Sequence, residues 1–412
     1  MTKGFQIVLL FLFVLICLRF FDARFADKSF VNYLVFFTLL GSIVISIPFV
    51  LPKSRGFVLP VQLIVLSIVM SILMANITWE QSLRESIIET TPYMIWIFFF
   101  YLLHIKIPIR TIEKIIMIFG VIYILLYFYQ LIQSPTVIFG KALHGDEFEL
   151  QRGMVRIVFP GAGIFILAVF ISINKLTSRV RGKWFWFSFS LLGIIIPIMQ
   201  VTRQFIAGIL LIYLFHFLKD QYLYVKAIVF AFCICIFFFI VNSENQIFKG
   251  LSKAVLEDVK EGNQNIRYQA GTYFLTEFSR NNTARWLGNG APDWGNSSYG
   301  IFVETMEKQY GYFMSDVGII GMYAMFGILA VIGFILIWIK SFTIPLPKEN
   351  YYLKYYLWYL LFTSLTWFTV FHYHYLISTV FVLYMYQTIS IQKDKLKRPH
   401  KLENKKPKIF FL

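Results

Sequence analysis

The stretch VGIIGMYAMFGILAVIGFILIWI (317–339) contains no charged residue and is apolar along almost its whole length. A helix needs about 20 such residues to cross the hydrocarbon core of a bilayer. The rest of the chain is similar, because 58% of its 412 residues are hydrophobic and Phe alone occupies 46 positions. Repeated apolar runs of this length predict an all-α polytopic membrane protein.

The apolar runs number about twelve when they are counted by the length that a span requires. They lie at 5–21, 31–51, 57–75, 87–104, 113–133, 155–174, 184–201, 204–218, 224–242, 317–339, 353–371 and 374–391. Residues 1–242 then hold nine transmembrane helices and a smaller external loop at 134–155. A large external loop follows at 243–316, three further helices occupy 317–391, and a basic tail forms 392–412.

The formal charge of +16 follows the predicted membrane topology. The loops and tail on the side of the two termini hold 23 Lys and Arg against 5 Asp and Glu, whereas the other side holds 15 against 17. This is the positive-inside pattern, so we expect both termini on the cytoplasmic side of the membrane and the large loop on the outer side. The basic charge therefore reflects topology, and it does not predict a nucleic-acid partner.

The sequence contains no motif for binding a nucleotide cofactor or a metal. Cys17, Cys233 and Cys235 all fall inside predicted spans, which argues against a disulfide framework and against a structural zinc site. There is no P-loop, no GxGxxG and no HExxH. We therefore expect neither a cofactor nor a metal.

Polar residues suited to chemistry gather on the predicted outer side. Six of the arginines there are candidates for chemistry: Arg152, Arg156, Arg203, Arg267, Arg280 and Arg285. The guanidinium fork grips phosphate through paired, charge-assisted hydrogen bonds. The carboxylates Glu304, Glu307 and Asp316 follow in the large loop, and any of them could act as a base if partly desolvated. This combination indicates anion binding together with proton transfer.

Structural explanations compete with this functional one. An arginine at the membrane lip, such as Arg203, can extend to the headgroups or pair with a carboxylate. Asp316 can favour the start of the helix that follows it. His372 and His374 alternate in the outer turn FHYHYL, where interfacial anchoring is the simpler interpretation. The segment 254–278 predicts a surface helix broken near Gly262, and WLGNGAPDWGNSSYG (286–300) predicts a loop.

The order of these residues resembles the O-antigen ligase/polymerase superfamily, roughly from Arg152 to Gly321. The likeness rests on five short segments: RIVFPGAGIF (156–165), QVTR (200–203), RYQAG (267–271), GNG (288–290) and DVGIIG (316–321). The ligases carry a histidine about eleven residues before the first glycine of the last segment. Here that position is Glu307. The difference favours the Wzy-like polymerase branch, O-antigen or capsule, over the ligase branch.

The resemblance implies a helical bundle of the type-C glycosyltransferase kind, acting on undecaprenyl-diphosphate-linked oligosaccharides without a nucleotide sugar. It implies diphosphate binding by Arg156, Arg203 and Arg267, helped by Arg152, Arg280 or Arg285. Glu307 is the first choice as base, followed by Asp316 and Glu304. Sugars would contact the outer turn through Trp286, Asn289, Asp293 and Trp294. The partners would be lipid-linked donor and acceptor glycans and the bilayer, with a chain-length regulator protein left open.

Two other functions remain open at this point. A ligase would transfer the finished glycan to another acceptor. A flippase would carry the lipid-linked oligosaccharide across the membrane, and it predicts polar side chains along many spans. In this chain the spans are nearly free of charge and the polar groups gather on one side, which favours an enzyme acting at the outer face.

Overall fold

The computed structural model describes residues 3–50, 55–142, 157–178, 180–200, 202–219 and 265–397, with a few isolated positions between 222 and 231. Over these residues the regular secondary structure is helical, apart from one antiparallel pair of two-residue strands, β1 (Lys141–Ala142) and β2 (Ile157–Val158). The helices are α1 Lys3–Leu18, α2 Lys28–Ser46, α3 Val58–Trp79, α4 Leu83–Thr90, α5 Phe98–Ile105, α6 Ile109–Ile132, α7 Ala162–Leu176, α8 Lys183–Met199, α9 Arg203–Leu218, α10 Ile266–Thr276, α11 Asn282–Leu287, α12 Ser298–Tyr310, α13 Ile319–Thr343, α14 Tyr352–Thr363 and α15 Tyr373–Lys397. Short 3-10 turns lie at Ile47–Phe49, Thr91–Ile97, Met314–Val317 and Lys348–Asn350.

Several helices have the length and composition of membrane spans. Among the described residues, five stretches qualify: Lys28–Phe49, Val58–Trp79, Leu83–Ile105, Ile109–Ile132 and Ile319–Thr343. Shorter apolar helices lie at Gly4–Leu18, Ala162–Leu176, Lys183–Met199 and Arg203–Leu218. The chain is therefore an α-helical membrane protein, while the number twelve stays a prediction. The predicted span 224–242 lies mostly outside the described residues, as does most of the tail at 392–412.

Helices α3 and α13 share the most extensive contact of any described helix pair. Gly333 of α13 faces the Ile64 side chain and the Pro60 carbonyl of α3, and a Cβ there would lie 2.7 Å from Ile64. Small residues at such crossings let two backbones approach closely, which is how membrane helices gain packing energy without a hydrophobic driving force.

A kink in α13 lets the glycine-rich turn at 286–300 bond to this helix. Gly327 has φ 75° and ψ −178°, a backbone conformation that is nearly exclusive to glycine. Because of the kink, carbonyls in the turn before Gly327 lose the N–H donors that a regular helix would supply. Instead, the backbone N–H of Asn289 donates to the carbonyl of Ala324 at 3.2 Å, and that of Gly290 donates to the carbonyl of Met325 at 2.8 Å. The glycine-rich turn thus satisfies carbonyls that would otherwise be buried without a partner.

The described part of the segment 243–316, which the sequence predicts to be a large external loop, is mostly helical. Helices α10, α11 and α12 occupy much of 265–316, and α10 begins where the Asn265 side chain accepts a hydrogen bond from the backbone N–H of Arg267 at 3.0 Å. The loop is held by Gln81, which is fully buried. Its amide donates to the Ala291 carbonyl at 3.0 Å and accepts from the backbone N–H of Asp293 at 2.9 Å. Residues 243–264 lie outside the described part of the chain.

Helix α14 ends at Thr363 and is therefore shorter than the span predicted at 353–371. The chain from 364 to 372 is not helical. Its backbone bonds to the turn before α13: Ile319 N–H donates to the Ser364 carbonyl at 2.9 Å, and Phe368 N–H donates to the Ser315 carbonyl at 2.8 Å. Irregular backbone inside a membrane protein is tolerated where it is buried in protein or lines a cavity. Here it does both.

Candidate functional site

A cavity of about 320 Å³ lies at the end of the bundle where α9, α13 and α15 begin. Its walls come from segments that are far apart in sequence. They are Ile157, Phe159, Ala162, Gln200, Thr202, Arg203, Gln204, Phe205, Arg267, Phe313, Ser315, Asp316, Trp367, His372, His374 and Tyr375. The lining includes two guanidinium groups and one carboxylate, so the described walls carry excess positive charge. Such a cavity favours an anionic ligand.

Arg203 enters the cavity from the start of α9. It is the first residue of that helix, directly after the cap residue Thr202. The next turn is fixed by packing, because the Phe205 ring meets the Trp367 ring edge-on with centroids 5.1 Å apart. The positive end of the α9 dipole adds to the charge of Arg203, which makes this wall attractive to anions.

Arg267 and Asp316 form an ion pair in the same cavity. The Arg267 Nη2 lies 3.8 Å from the Asp316 Oδ2, and both side chains are partly exposed. The Ser315 hydroxyl donates to Asp316 Oδ1 at 3.3 Å. An ion pair with this exposure contributes about 0–1 kcal/mol to the free energy of unfolding. Its arrangement places an arginine and a carboxylate side by side at the wall of an open cavity.

The glycines after Asp316 bring its turn against the broken segment. Gly318 has φ 55°, and a Cβ there would collide with the Ser364 carbonyl. A Cβ on Gly321 would collide with the carbonyl of Met314. The spacing DVGIIG therefore has a physical reason, because both glycines permit backbone contacts that set the position of Asp316.

His372 and His374 also line the cavity, which the sequence interpretation as interfacial anchors did not anticipate. Their ring centroids are 4.7 Å apart, and the Gly161 N–H donates to Nδ1 of His374 at 3.4 Å. Desolvation by burial lowers the pKa of His372 to about 3. Its buried Nδ1 has no hydrogen-bond partner within the described residues. The alternation FHYHY between two apolar runs was the signal that could have found them.

Glu304 and Glu307 lie on α12 and do not line the cavity. Glu304 pairs with Lys308 one turn later, at 2.5 Å. Burial, together with the negative charges of Asp316 and Glu304, raises the pKa of Glu307 from its ordinary 4.5 to about 7. Glu307 is therefore close enough to Asp316 for their charges to interact, and it changes protonation near neutral pH.

The remaining arginines have other positions. Arg280 donates to the Thr78 carbonyl at 3.2 Å, and its guanidinium carbon lies 3.9 Å from the centre of the Trp79 ring. Arg285 donates to the Thr276 carbonyl at 2.8 Å. Both contacts tie the loop together, and neither residue lines the cavity. Arg152 and Arg156 lie outside the described residues.

The four predicted sugar contacts divide into two kinds. Asn289 is fully buried: its amide donates to the Ser279 hydroxyl at 3.0 Å and to the Ala324 carbonyl at 2.8 Å, while its oxygen accepts from the Trp79 indole. Asp293 is also buried and accepts from the Asn296 amide at 3.1 Å. Trp286 and Trp294 are 57% and 48% exposed. The two tryptophans present rings to solvent, whereas the two polar side chains hold the turn.

Comparison with known proteins adds no identification: no family model and no curated protein matches the chain. Within the described residues there is also no group of three or more His, Cys, Asp or Glu that could hold a metal ion. Fold and site together define an α-helical membrane protein with an arginine-lined polar cavity at one end of its helices.

Proposed function

We propose that the protein is a membrane glycosyltransferase that polymerises undecaprenyl-diphosphate-linked oligosaccharide repeats into a surface polysaccharide at the outer face of the cytoplasmic membrane. One observation carries the proposal: Arg203, Arg267 and Asp316 line one cavity, although they come from three separate segments. Two guanidinium groups beside one carboxylate suit the two tasks of this reaction, which are diphosphate binding and proton transfer.

In the proposed reaction, an acceptor sugar hydroxyl attacks the anomeric carbon of the donor repeat. The bond between that carbon and the diphosphate oxygen breaks, and undecaprenyl diphosphate leaves with the electron pair. Arg203 and Arg267 stabilise the charge that develops on the leaving diphosphate. A low local dielectric makes this interaction stronger than it would be in water.

The hydroxyl proton moves to a carboxylate. Asp316 lines the cavity itself, while Glu307 lies nearby with a pKa of about 7 that suits a general base at neutral pH. Glu307 remains the first choice as base, followed by Asp316. The exposed Trp286 and Trp294 offer apolar faces on which sugar rings can stack.

The proposal is tested by surface polysaccharide length on a gel, in a deletion strain complemented with wild type, Arg203→Ala or Arg84→Ala. Arg84 is an exposed arginine of α4 and serves as a matched control. We expect single repeats with Arg203→Ala and full polymer with Arg84→Ala. Polymer that is complete on its lipid carrier but absent from its final acceptor would indicate a ligase. Lipid-linked repeats confined to the cytoplasmic leaflet would indicate a flippase.

A further inference from the structure

Two adjoining cavities lie at the opposite end of the bundle, where α7 and α9 end and α14 begins. Their volumes are about 650 and 630 Å³. Both are lined by Lys219, Tyr351 and Tyr355, so they meet along one shared wall. The charge distribution of the sequence assigns this end to the cytoplasm.

The first cavity is polar and its wall is pre-organised. The Thr177 hydroxyl and Nε2 of His216 are 2.9 Å apart, and Nδ1 of His216 is 2.9 Å from the Tyr355 hydroxyl. Asn174 donates to the Glu349 carbonyl at 2.5 Å, which joins the end of α7 to the turn before α14. The chain of hydrogen bonds fixes the shape of this cavity without any ligand.

The second cavity is mostly apolar, and its wall reaches the surface of the helices at Phe342. It is lined by Phe215, Leu218, Phe342, Trp358 and Phe362 in addition to the shared residues and Lys354. The Phe342 and Trp358 rings stack at 5.1 Å and form a flat floor. Phe342 is 54% exposed, so this floor continues onto the outer surface of the helices. In a membrane protein that surface faces acyl chains.

Lysines surround the boundary between the two cavities. The ammonium of Lys219 lies 3.1 Å from the centre of the Tyr351 ring. Lys219 and Lys393 are close enough to Lys354 for their charges to repel it. Lys348 lines the polar cavity, where Glu349 is the one acidic residue among the described lining. Positive charge thus collects where a headgroup would sit above an apolar floor.

We propose that these two cavities form a binding site for one anionic glycerophospholipid of the cytoplasmic leaflet. Its phosphate lies between Lys219 and Lys354, its polar headgroup occupies the cavity at His216, and an acyl chain lies along the Phe342–Trp358 floor. A soluble anion would have no use for the apolar cavity, and a neutral lipid would have none for the lysines. A single anionic lipid uses both.

The test is native mass spectrometry of the purified full chain in detergent, titrated with phosphatidylglycerol or phosphatidylcholine. We expect wild type to bind phosphatidylglycerol more tightly than phosphatidylcholine. Lys219→Gln/Lys354→Gln should weaken phosphatidylglycerol binding by about 30-fold, because each lysine near an anionic headgroup strengthens binding by about 5-fold. The control Lys114→Gln/Lys183→Gln removes two exposed lysines from the same end and should leave the affinity unchanged.

Two further variants separate the site from general folding. Lys219→Arg/Lys354→Arg keeps the charge and should retain phosphatidylglycerol, whereas Trp358→Ala should weaken both lipids by removing the floor. Equal binding of the two lipids by wild type would overturn the proposal. So would equal loss in the Lys114→Gln/Lys183→Gln control, or displacement of the lipid by soluble glycerol phosphate, which would identify a site for free anions.

Discussion

The guanidinium of Arg267 lies 3.8 Å from the carboxylate of Asp316, at the wall of the cavity that Arg203 also enters. Arg267 reaches this point from α10, whose start is capped by Asn265. Asp316 reaches it from the turn before α13. In the proposed reaction, Arg267 would bind the anionic donor, and Asp316 would balance its charge before the donor binds.

Removing the pair should separate activity from stability. Because both side chains are partly exposed, we expect Arg267→Ala to change the free energy of unfolding by about 0–1 kcal/mol. Polymer formation should fall by roughly 100-fold or more, the usual loss when one donor to a developing anion is removed. Thermal unfolding in detergent and polymer yield measure the two effects. A large drop in melting temperature with normal activity per folded molecule would contradict this assignment.

Glu307 should give the protein a pH dependence that Glu307→Gln removes. The folded-state pKa of about 7 lies above the ordinary 4.5, so the folded state binds the proton more tightly than the unfolded state. The resulting stability is fully present below about pH 4.5 and is lost as the pH rises to about 7. Melting temperatures across this window should fall more steeply for wild type than for Glu307→Gln.

The same residue predicts the pH profile of the reaction. If Glu307 accepts the proton, polymerisation should rise with pH through about 7 as the carboxylate ionises. Glu307→Gln should then be inactive at every pH, and Glu307→Asp should retain part of the activity. An unchanged profile in Glu307→Gln would assign the base to Asp316, which Asp316→Asn tests directly.

Gly318 should tolerate no side chain. Its positive φ and the nearby Ser364 carbonyl mean that Gly318→Ala forces the turn away from the broken segment. We expect destabilisation of about 1–3 kcal/mol from the strained conformation alone, measured by thermal unfolding. Gly41→Ala is the control, because nothing lies within 4 Å of a Cβ there. That variant should be neutral or stabilise by about 1 kcal/mol. Equal effects of the two substitutions would contradict the close contact.

Substitution by alanine should lower the stability of the protein at Asn289 and the polymer yield at Trp294. Asn289→Ala leaves the buried Trp79 indole N–H without a partner, while the Ala324 carbonyl keeps the backbone N–H of residue 289, so we expect about 1–3 kcal/mol of destabilisation. Trp294→Ala should change stability by about 0.5 kcal/mol or less because it is exposed, yet reduce polymer yield. Normal yield with Trp294→Ala would remove it from the sugar contacts.

The sequence predicted some parts of the site and not others, for physical reasons. Arg203 and Asp316 were identifiable because charges next to long apolar runs are costly and therefore informative. The role of Asn289 was not, because its partners Trp79, Ser279 and Ala324 come from three other segments. His372 was assigned to a turn between two complete spans, whereas α14 stops early and the chain bends into the cavity.

Helix existence was similarly easier to predict than helix boundaries. The apolar run 317–339 appears as α13 from Ile319 to Thr343. Its kink at Gly327 depends on the distant turn at 286–290, which supplies donors to the released carbonyls. Apolar periodicity records which segments are buried, but it carries no information about a bend that another segment stabilises.

The most direct test of the central claim is polymerisation by the purified protein in vesicles, using lipid-linked repeats extracted from the deletion strain. Wild type should convert single repeats into a ladder of longer glycans on the lipid and release undecaprenyl diphosphate in matching amounts. Arg203→Ala should leave the repeats unchanged, while Arg84→Ala should match wild type. Wild-type protein that produces no ladder, although it is folded and the substrate is intact, would contradict the claim.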